Sequence, residues 1–298
     1  MTTERKFTNA ELKAYKKRSF LGETWRNYKK SVSAMIGLII IVIIVVVSIV
    51  SQFVFDYESD IVRQNIRNRL QKPSSEHVLG TDQYGRDVMT RILYGAKYSL
   101  SVGIVSVAIS CLIGTTLGLI AGYYGGITEN IILRVCEIFV GIPSVLLGIA
   151  IMSAFGQSLL VLMLAIGLVY VPLFARTARA AVLPVMDQEY IEAARVSNVS
   201  DLKIIFSHVL PNSMSPIIVQ VTMGVANGIL TASSLSFLGL GVPVPAPEWG
   251  AMLSSGREYI RDYGYLTFFP GFAIMITVLA FNMMGDGLRD ALDPKLKQ

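Results

Sequence analysis

Few residues in this 298-residue chain carry side chains suited to chemistry, and their spacing argues against a reaction centre. The two histidines, His77 and His208, lie far apart, whereas a metal ion held by protein needs several convergent ligands. Cys111 and Cys136 fall in or beside apolar runs and read as reduced, packed thiols. The stretch H-V-L-G-T-D-Q-Y-G-R-D (77–87) brings Asp82 and Asp87 close together, but the ligand spacing of a calcium loop is incomplete. Arg134 and Glu137, three residues apart, suit a surface pair near a helix end. The chain contains no G-x-x-x-x-G-K-[ST] phosphate loop and no nucleophile elbow. No catalytic residue, resident metal or cofactor is therefore expected on this chain.

What remains is a charged segment in an otherwise oily chain. Residues 189–212 read E-Y-I-E-A-A-R-V-S-N-V-S-D-L-K-I-I-F-S-H-V-L-P-N. The E-A-A-R stretch predicts a short helix. Asn198 follows as a break, being one of the few non-glycine residues that tolerate a left-handed corner. D-L-K-I-I-F predicts a second short helix, capped by Ser200 or Asp201 and ended by Pro211. Ala193 and Ala194 are small enough to let the first helix lie close against another surface.

The surroundings of this segment are membrane-like. Apolar residues make up 53% of the chain and charged residues 16%, with a mean hydropathy of +0.55. A soluble domain usually carries about 25% charged residues. The charges are also missing in blocks: uncharged gaps of 25, 31, 38, 44 and 23 residues follow Lys30, Lys97, Glu137, Lys203 and Asp262. A bilayer span needs roughly 20 apolar residues, and a charge at its centre costs about 2.5–3.5 kcal/mol on insertion scales. The fold class is thus an all-α polytopic membrane protein. Four gaps hold one span each, near 32–54, 99–122, 217–240 and 265–285. The 38-residue gap, broken by S-A-F-G-Q-S (153–158), predicts a tight hairpin with arms near 131–152 and 159–176. Six transmembrane helices result, with both termini on one side.

Lysine and arginine orient the bundle. With the N-terminus inside, 17 of them fall on cytoplasmic segments and 9 outside. The block K-K-R (16–18) and W-R-N-Y-K-K (25–30) favours that choice. The net charge of +5 reads as a topology signal, with membrane lipid and not nucleic acid as the partner. A cleaved signal peptide is not expected, since the apolar run starts late, is too long and lacks a small-residue cleavage site. The expected organisation is a cytoplasmic segment 1–31, a first span 32–54, an extracytoplasmic segment 55–97, a core 98–288 containing the charged segment within 180–212, and a tail 289–298.

Within the spans, Gly114, Gly118 and Gly122 recur every four residues, as do Gly224 and Gly228, which permits close helix approach. In the fifth span Gln220, Asn227, Thr231 and Ser234 share one helical face. Intramembrane polar groups face either a partner or a water-filled cavity, so this stripe lines a path or an interface between subunits. Trp249, in a proline-rich outer loop followed by a short helix near 250–260, suits contact with an external protein or an interfacial anchor.

At this point the chain resembles a known family. E-A-A, a break residue and a later L-P are similar to the cytoplasmic motif of membrane subunits of bacterial binding-protein-dependent ABC importers. There the break residue is usually glycine, and Asn198 departs from it. G-T-D-Q-Y-G-R-D (80–87), G-L-I-A-G-Y-Y-G-G (118–126), S-F-L-G-L-G (236–241), P-E-W-G-A-M-L (247–253) and G-D-G-L-R-D-A-L-D-P-K-L (285–296) resemble the dipeptide/oligopeptide branch. The resemblance implies a type I importer permease fold in a bacterial inner membrane. It implies pairing with a homologous second permease, two ATPase subunits that use ATP and Mg, and an extracytoplasmic solute-binding protein. Glu192, Ala193, Ala194, Asn198 and Pro211 match the motif that couples such permeases to their ATPase. Short peptides are the implied cargo, with glutathione or nickel as alternatives within the same machine. An ion-coupled secondary transporter is the remote alternative, and nearly charge-free spans argue against it.

Overall fold

The computed structural model describes residues 20–292, and among them it is helical with no strand. The K-K-R block and tail residues 293–298, with Lys295 and Lys297, lie outside the described residues. An amphipathic helix α1 (Phe20–Tyr28) precedes α2 (Val32–Val54), which Ser31 caps by accepting from the Ala34 amide. Tyr28 is buried and donates to the Ala34 carbonyl at 3.0 Å, while Trp25 stacks on it in a half-exposed position. Ala34 and Gly37 of α2 face the last helix, α11 (Tyr265–Leu292), and much of the rest of α2 is exposed apolar surface.

Among the described residues, five helices are long and apolar enough to cross a membrane, and a bent pair, taken as one span, brings the number to six. The longest by itself is α3 (Val88–Tyr124), 37 residues, or about 55 Å at 1.5 Å per residue. It starts well before the predicted residue 99. Asp87 caps it, and Arg91, expected in a loop, is buried inside its second turn. Burial is tolerated because Arg91 donates to the Ile61 and Pro245 carbonyls at 2.6 and 3.2 Å and lies 3.7 Å from Asp82.

The predicted single arm over 131–152 is corrected by the structure. It is two helices, α4 (Gly126–Val140) and α5 (Ser144–Phe155), meeting at 85°. The break falls at Gly141-Ile142-Pro143, where proline lacks a donor and restricts the residue before it. The next turn follows the sequence expectation: Gly156 adopts φ 86°, Ser158 caps, and α6 (Leu159–Met186) begins. That helix runs ten residues past the expected end, through Pro172 and Pro184, both of which it accommodates.

A second correction concerns Pro211. It does not end the charged segment. After α7 (Glu189–Val196) and α8 (Asp201–Ile204), a wide π turn at Ile205–Val209 leads into α9 (Leu210–Phe237), so one apolar helix runs over Asp201–Phe237. The Leu210 amide bonds to the Ile205 carbonyl, and Pro211 directly follows this widened turn, where the i→i−4 ladder is already interrupted. A short α10 (Trp249–Gly256) packs between α9 and α11.

The centre of the bundle is the α3–α6 pair, which the glycine ridge brings together. A Cβ at Gly114 would stand 2.5 Å from that of Phe174, and one at Gly122 would stand 2.7 Å from Val182 Cγ1. Ser106 and Ser110 of α3 add bonds to the Met163 and Gly167 carbonyls at 3.0 and 2.7 Å. α9 then crosses both helices, with Gly224 against Val107 and Gly228 against Gly103.

Candidate functional site

The charged segment sits at the end of the bundle where α3 finishes. Ile191, Ile204, Ile205 and Val209 are buried against Leu119 and Tyr123 of α3 and Val182 and Val185 of α6. This apolar seat holds α7 and α8 to the two helices at the centre of the fold. Asn198 has φ 57°, the left-handed corner that its residue type allows. Its amide donates to the Arg195 carbonyl at 3.0 Å, and the Val199 amide donates to Ala194 at 3.1 Å. These two bonds form the Schellman closure of a helix end, with asparagine where glycine is usual. Ser200 precedes α8 without a side-chain cap, while Asp201 accepts the Tyr123 hydroxyl at 2.7 Å.

The outward face of the segment is partly apolar. Val196, Leu202 and Phe206 are 83%, 67% and 60% exposed, and Tyr190, Glu192 and Ala193 are exposed beside them. Ala194 requires a correction: it is half-buried and packs inward against the Ile191–Ile204 cluster, so its small size serves the chain's own core. Pro211 is exposed but belongs to α9, not to the outward face of α7.

The polar stripe is real in space. Asn227 is exposed, while Gln220, Thr231 and Ser234 are half-buried on the same side of α9. Tyr170 of α6 joins them through its hydroxyl, 2.8 Å from Thr231 Oγ1 and 3.4 Å from the Asn227 carbonyl. Sequence reasoning missed Tyr170; its signal was one phenol in the long uncharged run before Arg176. The Ser234 hydroxyl donates to the Leu230 carbonyl at 2.8 Å and borders a hollow of about 450 Å³ between α9 and α11.

At the other end of the bundle, the expected roles change. Trp249 is 3% exposed; its indole donates to the Ile92 carbonyl at 2.9 Å and its amide to Ser99 Oγ at 3.1 Å. It is a core residue, unsuited either to anchoring at a lipid interface or to meeting an external protein. Beside it Glu248 is fully buried and caps α10, accepting from the Gly250 and Ala251 amides at 2.8 Å each. Burial pushes its carboxyl above the ordinary value, against those bonds. Asp82 accepts the Arg86 guanidinium at 2.7 Å and the Tyr84 and Arg86 amides. Asp87 caps α3 and meets His77 Nδ1 at 2.9 Å. Both aspartates are thus engaged in holding the 55–87 segment. Among the described residues, no group of three His, Cys, Asp or Glu side chains could hold a metal ion.

Two arrangements therefore stand out, a firmly seated segment with an exposed apolar face and an uncharged polar face among long apolar helices. Residues 114–298 match the family described as "Binding-protein-dependent transport system inner membrane component". The chain belongs to that family. Residues 19–73 match a second family, "N-terminal TM domain of oligopeptide transport permease C". The permease is 48% identical over 275 residues to the dipeptide transport system permease protein DppC of Alkalihalophilus pseudofirmus, covering 92% of this chain and 90% of the relative. It is 42% identical to the glutathione transport system permease protein GsiD of Pectobacterium atrosepticum, covering 92% and 91%. Inward-facing structures of the MetNI methionine ABC transporter share the fold: one superposes with TM-score 0.57 at 18% identity, over 69% of this chain and 98% of that one. The type I permease architecture and the family expected from the sequence are both borne out. As an inner-membrane component of a binding-protein-dependent system, the chain is a permease subunit.

Proposed function

We propose that this permease imports short peptides, glutathione included, as one of two homologous membrane subunits above a pair of ATPases. A solute-binding protein delivers the cargo from outside, and both termini lie in the cytoplasm. ATP and Mg act on the ATPase subunits. The single observation that carries the reading is the α7–Asn198–α8 segment. Its buried face grips α3 and α6, and its exposed face presents Ala193, Val196, Leu202 and Phe206 for burial elsewhere. Glu192 and Arg195 sit among them as polar contacts at the margin of such a surface. Closure of the ATPases would push α7, and the shared apolar cluster would move the ends of α3 and α6 with it.

The path is read from α9 and Tyr170. Gln220, Asn227, Thr231, Ser234 and the phenol offer donors and acceptors without net charge. Such a lining hydrogen-bonds backbone amides of any peptide and imposes no fixed ionic partner. Peptide cargo is favoured because the relatives named above transport dipeptides and glutathione. The test is reconstitution of the four-subunit complex in proteoliposomes with its binding protein. ATP-dependent accumulation of a labelled dipeptide, abolished without the binding protein, is expected. Uptake driven by an ion gradient in the absence of ATP would refute the reading.

A further inference from the structure

Tyr123 lies in the last turn of α3, within the G-Y-Y-G-G run, and is 7% exposed. Its hydroxyl donates to Asp201 Oδ1 at 2.7 Å, in the first turn of α8. The Arg195 guanidinium, in the last turn of α7, stands 5.3 Å from the centre of its ring. One side chain therefore touches both arms of the corner at Asn198. Its ring also meets Tyr124 edge-on at 5.0 Å and belongs to the cluster that seats Ile191 and Ile204.

We infer that Tyr123 is a positioning residue that links the α7–α8 corner to α3, and that coupling of ATP hydrolysis to transport runs through its hydroxyl. The inference rests on the reading of α7 as the coupling helix. The remaining contacts between α3 and this segment are apolar and non-directional, and such contacts let one surface slide over another. The bond from the Tyr123 hydroxyl to a carboxylate, with a guanidinium over the ring, is directional and registers the corner against one turn of α3. The Asn198 corner keeps Arg195 and Asp201 on the same side, so a displacement of α7 reaches Tyr123 from both arms.

The test uses the complete complex in proteoliposomes and measures peptide imported per ATP hydrolysed. Tyr123→Phe keeps the ring and the cation contact but removes the hydroxyl. A hydrogen bond to a charged group corresponds to a factor of roughly 10 or more, so the imported-to-hydrolysed ratio should fall by about that factor in an assembled complex. Asp201→Ala should match it. Asp201→Asn, which retains an acceptor oxygen, should recover most of the ratio, and combining Asp201→Ala with Tyr123→Phe should add nothing. An assembled Tyr123→Phe complex with a wild-type ratio would overturn the inference, as would failure of Tyr123→Phe to assemble, which would make the hydroxyl merely structural. Ala193→Arg run in parallel separates the levels: if it too transports normally, the coupling reading of α7 fails, whereas its loss beside an unaffected Tyr123→Phe overturns only the role of Tyr123.

Discussion

Replacing Asn198 tests the path from residue type to backbone to function. At φ 57° the residue occupies the left-handed region, which costs an ordinary L-residue about 1–2 kcal/mol and glycine nothing. Asparagine lies near the glycine limit, whereas β-branched valine lies at or beyond the upper one. Asn198→Val should therefore destabilise the corner by roughly 1–2 kcal/mol, a factor of about 5–30 in the closed-to-open ratio. Asn198→Gly should be neutral or stabilising by a few tenths of a kcal/mol. The local reporters are the Asn198 and Val199 amides, which close the corner onto Arg195 and Ala194. Amide hydrogen exchange on the assembled complex should show their protection fall about 5- to 30-fold in the valine variant, with the glycine variant at or above wild type. Peptide uptake should follow the same order, because a frayed α7 cannot transmit a push. Wild-type protection in the valine variant would refute the conformational argument. Normal protection loss with unchanged uptake would detach the corner from function.

Three further outcomes are expected. Ala193→Arg places a charge on the outward face of α7; an unpaired buried charge costs on the order of 3–5 kcal/mol, so ATPase docking, measured by co-purification, should weaken by 10² or more, and unchanged docking would place the ATPase contact elsewhere. Asn227→Leu should impair peptide uptake while leaving pairing with the second permease intact, whereas loss of co-purification with that subunit would assign the stripe to the interface. Glu248 supplies a pH test. Because burial raises its pKa above the ordinary 4.5, its stabilisation is fully present below that value and is lost as pH rises through the higher, folded-state value. The stability advantage of wild type over Glu248→Gln, from thermal unfolding in detergent, should shrink as pH increases from 4.5, and a constant difference would contradict the sign.

The chain's pattern alone determined most of what is needed to place it in a membrane and in its family. Long uncharged gaps mark spans because the penalty for a charge in hydrocarbon acts on each residue wherever its neighbours lie. The left-handed corner at Asn198 was legible for a similar reason, since φ is restricted by the residue's own Cβ. The glycine ridge of α3 showed that a close approach was allowed, but only the fold identified α6 as its partner. Properties set by distant residues required tertiary structure. Trp249 is buried because Ile92 and Ser99 accept its indole and amide from 150 or more residues away. Arg91 enters a helix because Ile61, Asp82 and Pro245 converge on it. Ala194 turns inward and Ala193 outward although the two are chemically identical and adjacent in sequence. Pro211 reads locally as a stop, yet the π turn before it carries the helix on. For Trp249, Arg91 and Ala194 the deciding free energy belongs to a contact between segments remote in the chain, which residue type and spacing do not encode.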